Sequence, residues 1–437
     1  MKTGRLAFGL AAISALGLCA QTVVRTVEVA EGLASHPVNG GRCLISDGAC
    51  QYLAFYAADH QATVAKRRLD SDAWEFATLP ERVGWDTHNR LVLFQDRDGY
   101  LHLTGNMHGA PLRYYRTTNP RDIQSFEAVH RWSGQLEDRV TYPSVIQSRD
   151  GSTHMMYRDG GSGDGQRVLV HYDEATRSWN GTGRAFISGR DRRPTCNAYP
   201  FGGIVEDATG SWHIAWCWRE TPDVETNFDV CYARSRDQGA TWERSNGEAL
   251  ALPIRPETAQ VVDPIPQRRG LMNGGALVVS EQGIPFIGYT RFDADGRNQL
   301  FVATPVAGRW TVIQISDWTV RFWFEGRGTI PEYPPIPRLS LISGDQLEVR
   351  YASALINPAR GAFTLRSTND AGWRPERRTG RGDEERQVAP NIRATNIGPL
   401  PAGQEHYLTQ ATARPNRDRR PEDPQPATMI RILEVAR

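Results

Sequence analysis

From about residue 44 onward the chain alternates short apolar runs with polar, glycine-bearing turns. One unit recurs: a polar residue, a turn with Asp or Gly, then a strand in which apolar positions dominate or alternate. It reads SDGACQYLAFY at Ser46–Tyr56, DRDGYLHLTGN at Asp96–Asn106 and SRDGSTHMMYRD at Ser148–Asp159. It returns as EDATGSWHIAWCWR at Glu206–Arg219 and SEQGIPFIGYTR at Ser280–Arg291, and more weakly as SGDQLEVRYAS at Ser343–Ser353 and PAGQEHYLTQA at Pro401–Ala411. An apolar strand such as SVIQS, GGIVE, GALVV or RLSLI precedes most copies, which predicts a hairpin with a tight glycine turn. A further strand, such as LRYYRTT, RVLVHYD or DVCYARS, follows.

The starts of the seven copies lie about 50–75 residues apart and fill the chain. A four-stranded sheet with its connections needs that length, and radial repetition of such sheets is a β-propeller. No amphipathic helical pattern exceeds two turns. The expectation is an all-β, seven-bladed β-propeller, forming a single catalytic domain over residues 21–437. A pair of β-sandwiches lacks a repeat of this period.

Met1 to Ala20 reads as a secretory signal: Lys2 and Arg5, then the uncharged apolar run Leu6 to Leu18. Export to the periplasm or medium is expected, with cleavage after Ala20. Leu18 before Cys19 suits a lipidation site poorly. No later stretch approaches the length of a membrane span. The five remaining cysteines, Cys43, Cys50, Cys196, Cys217 and Cys231, are odd in number and match no zinc pattern. Cys43–Cys50 or Cys217–Cys231 could pair across a hairpin.

Charge narrows the function. Lys plus Arg number 51 against 50 Asp plus Glu, a net charge of +1. Nucleic acid is therefore not an expected partner, since no excess of positive charge draws phosphates. Lysine occurs only at positions 2 and 66, which disfavours Schiff-base chemistry.

Candidate chemistry follows from the repeat register. His88, Tyr142 and Tyr199 precede the first strand of three successive hairpins, and His108, Arg158 and Arg219 follow the second. An antiparallel pair brings these starts and ends to one side, so all six are expected on one face of three adjacent blades. No carboxylate recurs at equivalent positions, whereas glycoside hydrolysis usually wants two. β-Elimination from a uronic acid needs a bidentate cation for the sugar carboxylate, which Arg supplies, plus a base and an acid. His and Tyr fill those roles without a metal. No cofactor is required by this chemistry; a structural metal ion is left open. The phenol's ordinary pKa of ~10 has to be lowered by Arg158 or a histidine, or its proton shared.

Ser235-Arg236-Asp237-Gln238-Gly239-Ala240-Thr241-Trp242 is a full Asp-box, with a structural meaning: Asp237 and Gly239 shape a turn and Trp242 packs into the blade. Together with WDTHN, GNMHG, TYP, YRDGGSGDG, NAYP and WRETPD, it resembles the seven-bladed BNR-repeat polysaccharide lyases, including ulvan lyases and rhamnose–glucuronate lyases. The resemblance covers His88 to Asp263, more loosely to Trp318. It implies that His88 and Tyr142 form the acid–base pair, that Arg158 with His108 neutralises a uronate carboxylate, and that Tyr199 lines the same subsite. The expected partner is an acidic polysaccharide, handled by a monomer. The alternatives are a glycoside hydrolase using a single His, similar to rhamnosidases, and a non-catalytic glycan-binding propeller.

Overall fold

The computed structural model describes residues 23–436 apart from 39–41, 181–184, 331–332, 369–371, 378–391, 396–397, 413–417 and 421–426. The expected signal segment 1–20 lies outside the described residues. Within them the strands group into seven antiparallel sheets.

Each of the seven repeated units forms the second strand of one sheet. These strands are Cys50–Tyr56, Leu101–Gly105, Thr153–Gly160, Trp212–Arg219, Pro285–Phe292, Gln346–Ala352 and Gln404–Thr409. The turn before them is tight, and Gly48, Gly99, Gly151, Gly210, Gly283 and Gly403 hold it with φ between 75° and 91°, a region only glycine enters freely.

Apolar clusters tie consecutive sheets into a ring. They join the seventh sheet to the first, the first to the second, and so on to the sixth. In the third sheet Met156 faces the fourth, while Met155 and Tyr157 face the second. A second strand is thus covered on both faces, and Thr153–Gly160 and Trp212–Arg219 are buried along their whole length. Most buried polar groups find a partner. His102 and His213 each sit between a turn aspartate and a tyrosine of the third strand. His213 Nε2 lies 3.0 Å from Asp207 Oδ2 and its Nδ1 lies 2.6 Å from the Tyr232 hydroxyl.

The ring closes through the N-terminus: Val23–Gly32 pairs with Thr428–Ala436 as the outer strand of the seventh sheet. The seventh sheet thus takes strands from both ends of the described chain. In the Asp-box, Asp237 accepts from the Thr241 backbone N–H (2.8 Å) and hydroxyl (2.6 Å), and Trp242 stacks on Phe186 inside the core.

The connections that matter for function share one end of the ring. They are the links from one sheet's last strand to the next sheet's first, and the links from second to third strands.

Candidate functional site

All six residues picked out by the repeat register meet in one contiguous cluster. The His88 and His108 rings stack at 4.5 Å between centroids. The Tyr142 ring lies 6.1 Å from His88 and 5.8 Å from His108. The Arg158 guanidinium carbon stands 5.2 Å over the Tyr142 ring. Nη1 of Arg158 and Nη1 of Arg219 approach the Tyr199 hydroxyl from two sides, at 3.5 and 3.4 Å.

Local structure explains the convergence. His88 ends the link into the second sheet, and His108 opens a short strand, His108–Ala110, that adds to the third sheet opposite Thr141. Tyr142 and Tyr199 lie one step further in than expected, inside the first strands Val140–Gln147 and Asn197–Glu206. Thr141 pairs with Arg158, and the register slips between Thr141 and Ser144. That bulge holds Tyr142 at φ 53°. A bulky residue in the left-handed region is a local cost that persists where surroundings over-determine it, typically at working sites.

The floor is cationic. Arg158, Arg219 and a residue not singled out from the sequence, Arg167, are buried. Every hydrogen bond the three make among the described residues goes to a neutral oxygen. Arg158 Nε donates to the Gly160 carbonyl, Arg167 to the Ala198 carbonyl, and Arg219 to Asn227, Asn273 and Tyr199. Buried charges are ordinarily paired, so this floor is short of an anion. Burial, with Arg158 adding, pushes Arg167 down to about 9.

The rim is held by carboxylates. Asp86 Oδ1 lies 2.6 Å from His88 Nδ1, and Asp86 Oδ2 lies 2.6 Å from His108 Nδ1. Asp86 thus orients both rings, and neither Nε2 has a hydrogen bond among the described residues. Burial favours its neutral form, but the hydrogen bonds from His108 and His88 outweigh this and hold it well below the usual carboxylate range.

A family model described as a BNR repeat-containing family member matches residues 50–318. The chain belongs to that family. No curated protein matches this BNR-repeat chain. Among solved structures it is similar to the polysaccharide lyase Uly1, with a TM-score of 0.63 at 14% identity, covering 95% of this chain and 99% of that one. It is also similar to a PL25 ulvan lyase, seen alone and bound to -[GlcA(1-4)Rha3S]-, with a TM-score of 0.59 at 14% identity over 89% of this chain and 94% of that one. At this identity the likeness concerns the propeller fold.

The two phenols of this BNR-repeat protein differ, and not as expected. Burial raises Tyr142 to about 12, although Arg158 opposes it. At Tyr199 burial also raises the pKa, but Arg219 and Arg158 outweigh it and the net direction is downward. The arginines therefore acidify Tyr199, whereas Tyr142 keeps its proton. Asp86, His88 and His108 also present ligand atoms within 4.8 Å of one another, close enough to hold a metal ion. The observed 2.6 Å contacts are those of two short hydrogen bonds, one to each carboxylate oxygen.

Among the described residues the five cysteines are free and no disulfide forms. Cys231 pairs with Trp216 across the strands and faces the third sheet, while Cys217 faces the fifth. Cys43 lies opposite Ala54, away from Cys50. Among the described residues no helix is long and apolar enough to cross a membrane.

Proposed function

We propose that this protein is an exported polysaccharide lyase that cleaves a uronic-acid-containing glycan by β-elimination. The observation that carries the reading is the buried floor of three arginines without a carboxylate, directly beneath a phenol–imidazole group. A uronate carboxylate supplies the missing anion. Arg158 and Arg219 receive it bidentately, with His108 at its edge, and so stabilise the negative charge that develops when the C5 proton leaves.

His88 takes the C5 proton at Nε2, since Asp86 occupies Nδ1. The electron pair of the C5–H bond forms the C4–C5 double bond, and the C4–O bond breaks. Tyr142, kept protonated by burial, gives its proton to the leaving glycosidic oxygen. Tyr199 lines the carboxylate subsite. No carboxylate is needed as a nucleophile, and Asp86 is already engaged by two imidazoles.

A rhamnose–uronate polymer is the substrate we propose, because the similar ulvan lyase carries glucuronate linked to sulfated rhamnose. Periplasmic or extracellular residence and a monomeric state complete the proposal. The test is a panel of uronic-acid polysaccharides followed by the ultraviolet absorbance of an unsaturated uronate. Reducing ends appearing without that absorbance would mean hydrolysis. Binding without any product would mean a lectin-like propeller.

A further inference from the structure

The connection between Gln404–Thr409 and Thr428–Ala436 belongs to the seventh sheet, and its Arg, Asp and Pro content reads as a solvated loop. Asp418 within it does something else. Its Oδ1 accepts from the Thr87 hydroxyl at 2.7 Å and from the Thr87 backbone N–H at 3.1 Å. Its Oδ2 accepts from the Thr329 hydroxyl at 2.7 Å. Thr87 lies in the link from the first sheet to the second, and Thr329 in the link from the fifth to the sixth. One carboxylate therefore joins three separate parts of the ring.

The join falls on the site. Thr87 immediately precedes His88, and Asp418 Oδ1 stands 3.6 Å from His88 Nδ1. Asp86 Oδ1 accepts from the His88 backbone N–H at 3.0 Å and lies 2.6 Å from the same ring nitrogen. The segment 86–88 is thus clamped between two carboxylates, one local and one contributed from more than 300 residues away. Asp418 has φ 62°, a left-handed conformation unusual outside glycine. Burial would raise its pKa, but the Thr329 and Thr87 hydroxyls reverse the direction.

We infer that Asp418 is a positioning residue for His88: through Thr87 it sets the depth and tilt at which the imidazole meets the substrate. The assay of this role rests on the lyase reading, but the geometry does not. A misplacement of about 1 Å in such a group costs on the order of a hundredfold in rate, and one clamp of two removed costs less.

The experiment uses the full chain with Asp418→Asn, Asp418→Ala and Thr329→Val. Two signals are read: steady-state kinetics, and the ring ¹⁵N–¹H resonances of His88, assigned by their loss in His88→Gln. Asp418→Asn should lower kcat about tenfold with KM changed less than threefold, at an unchanged Tm. Thr329→Val should fall between it and the wild type. The His88 resonances should move in both, while those of the distant His154–His171 pair stay. His88 resonances that do not move overturn the inference whatever the turnover. An unchanged kcat beside an active parent also overturns it. A parent inactive on every uronate polymer defeats the lyase reading alone, and the resonances still decide the clamp. Should Asp418→Ala fail to fold, the other two variants carry the test.

Discussion

Asp86 and His88 stand two residues apart, and the carboxylate meets the histidine twice: Oδ1 accepts from its backbone N–H at 3.0 Å and lies 2.6 Å from its ring Nδ1. The other oxygen lies 2.6 Å from the ring Nδ1 of His108. Neutral imidazole has one donor and one acceptor nitrogen, so this one carboxylate sets both tautomers. Asp86→Asn places an amide where two acceptors are needed, and one ring must turn or change tautomer. Turnover should fall about a hundredfold, with little change in Tm. Chelation by EDTA should leave the wild type active. Loss of activity with EDTA and its return with zinc would replace the two hydrogen bonds by a metal at Asp86, His88 and His108.

Tyr142 and Tyr199 separate acid from binding group. Tyr142→Phe removes the hydroxyl proposed to protonate the leaving oxygen and keeps the ring between the histidines and Arg158. Product formation should become undetectable while polymer binding, read by calorimetry, survives. Tyr199→Phe should mainly raise KM, since its hydroxyl bridges two arginines. Equal losses of kcat in both variants would remove the distinction drawn from their opposite pKa directions.

Much of this site was legible beforehand because the repeat supplies a ruler. Once the Gly turns are aligned, the starts of first strands and the ends of second strands are fixed, and six residues fall on one face. The rest was hidden for definite reasons. Asp86 stands in plain view in the WDTHN segment, but an aspartate in a link reads as a turn residue. Arg167 lies within a third strand and joins the floor only by crossing to Ala198. Asp418 reaches His88 only through ring closure. The pKa order of the tyrosines depends on which of them both arginines face, and no spacing conveys that.

Arg158 is buried beneath the cluster with neutral partners only. Arg158→Ala removes the cation from the developing charge and should lower kcat/KM by at least a hundredfold, about 3 kcal/mol. Arg158→Lys should recover little, because an ammonium cannot reproduce the planar fork that two carboxylate oxygens require. The fold should survive both, since removing a charge without a carboxylate partner leaves no orphaned anion behind. A change confined to KM in Arg158→Ala would assign the residue to ground-state binding instead.

Acid sensitivity should come from the structural aspartates as well as from Asp86 in the site, whose carboxyl is also held low. Asp207 accepts from Thr209 N–H at 2.8 Å, the Thr209 hydroxyl at 2.7 Å and Ser211 N–H at 3.0 Å, beside His213. Burial raises its pKa, but the Thr209 and His213 hydrogen bonds prevail and bring it down to about 2. A carboxyl depressed on folding adds stability above its unfolded pKa of ~3.9 and loses it as pH falls through the folded value. His213 works in the same sense: burial disfavours its cation, so the unfolded chain binds the proton more readily. Stability should therefore decline from near neutrality toward pH ~2, with Asp207 contributing on the order of 1–2 kcal/mol to the part below pH ~4. In Asp207→Asn the Tm should be lower at pH 7 and flatter below pH ~4 than in the wild type. Parallel Tm-versus-pH curves for the two proteins would show that this turn contributes nothing to the acid limb.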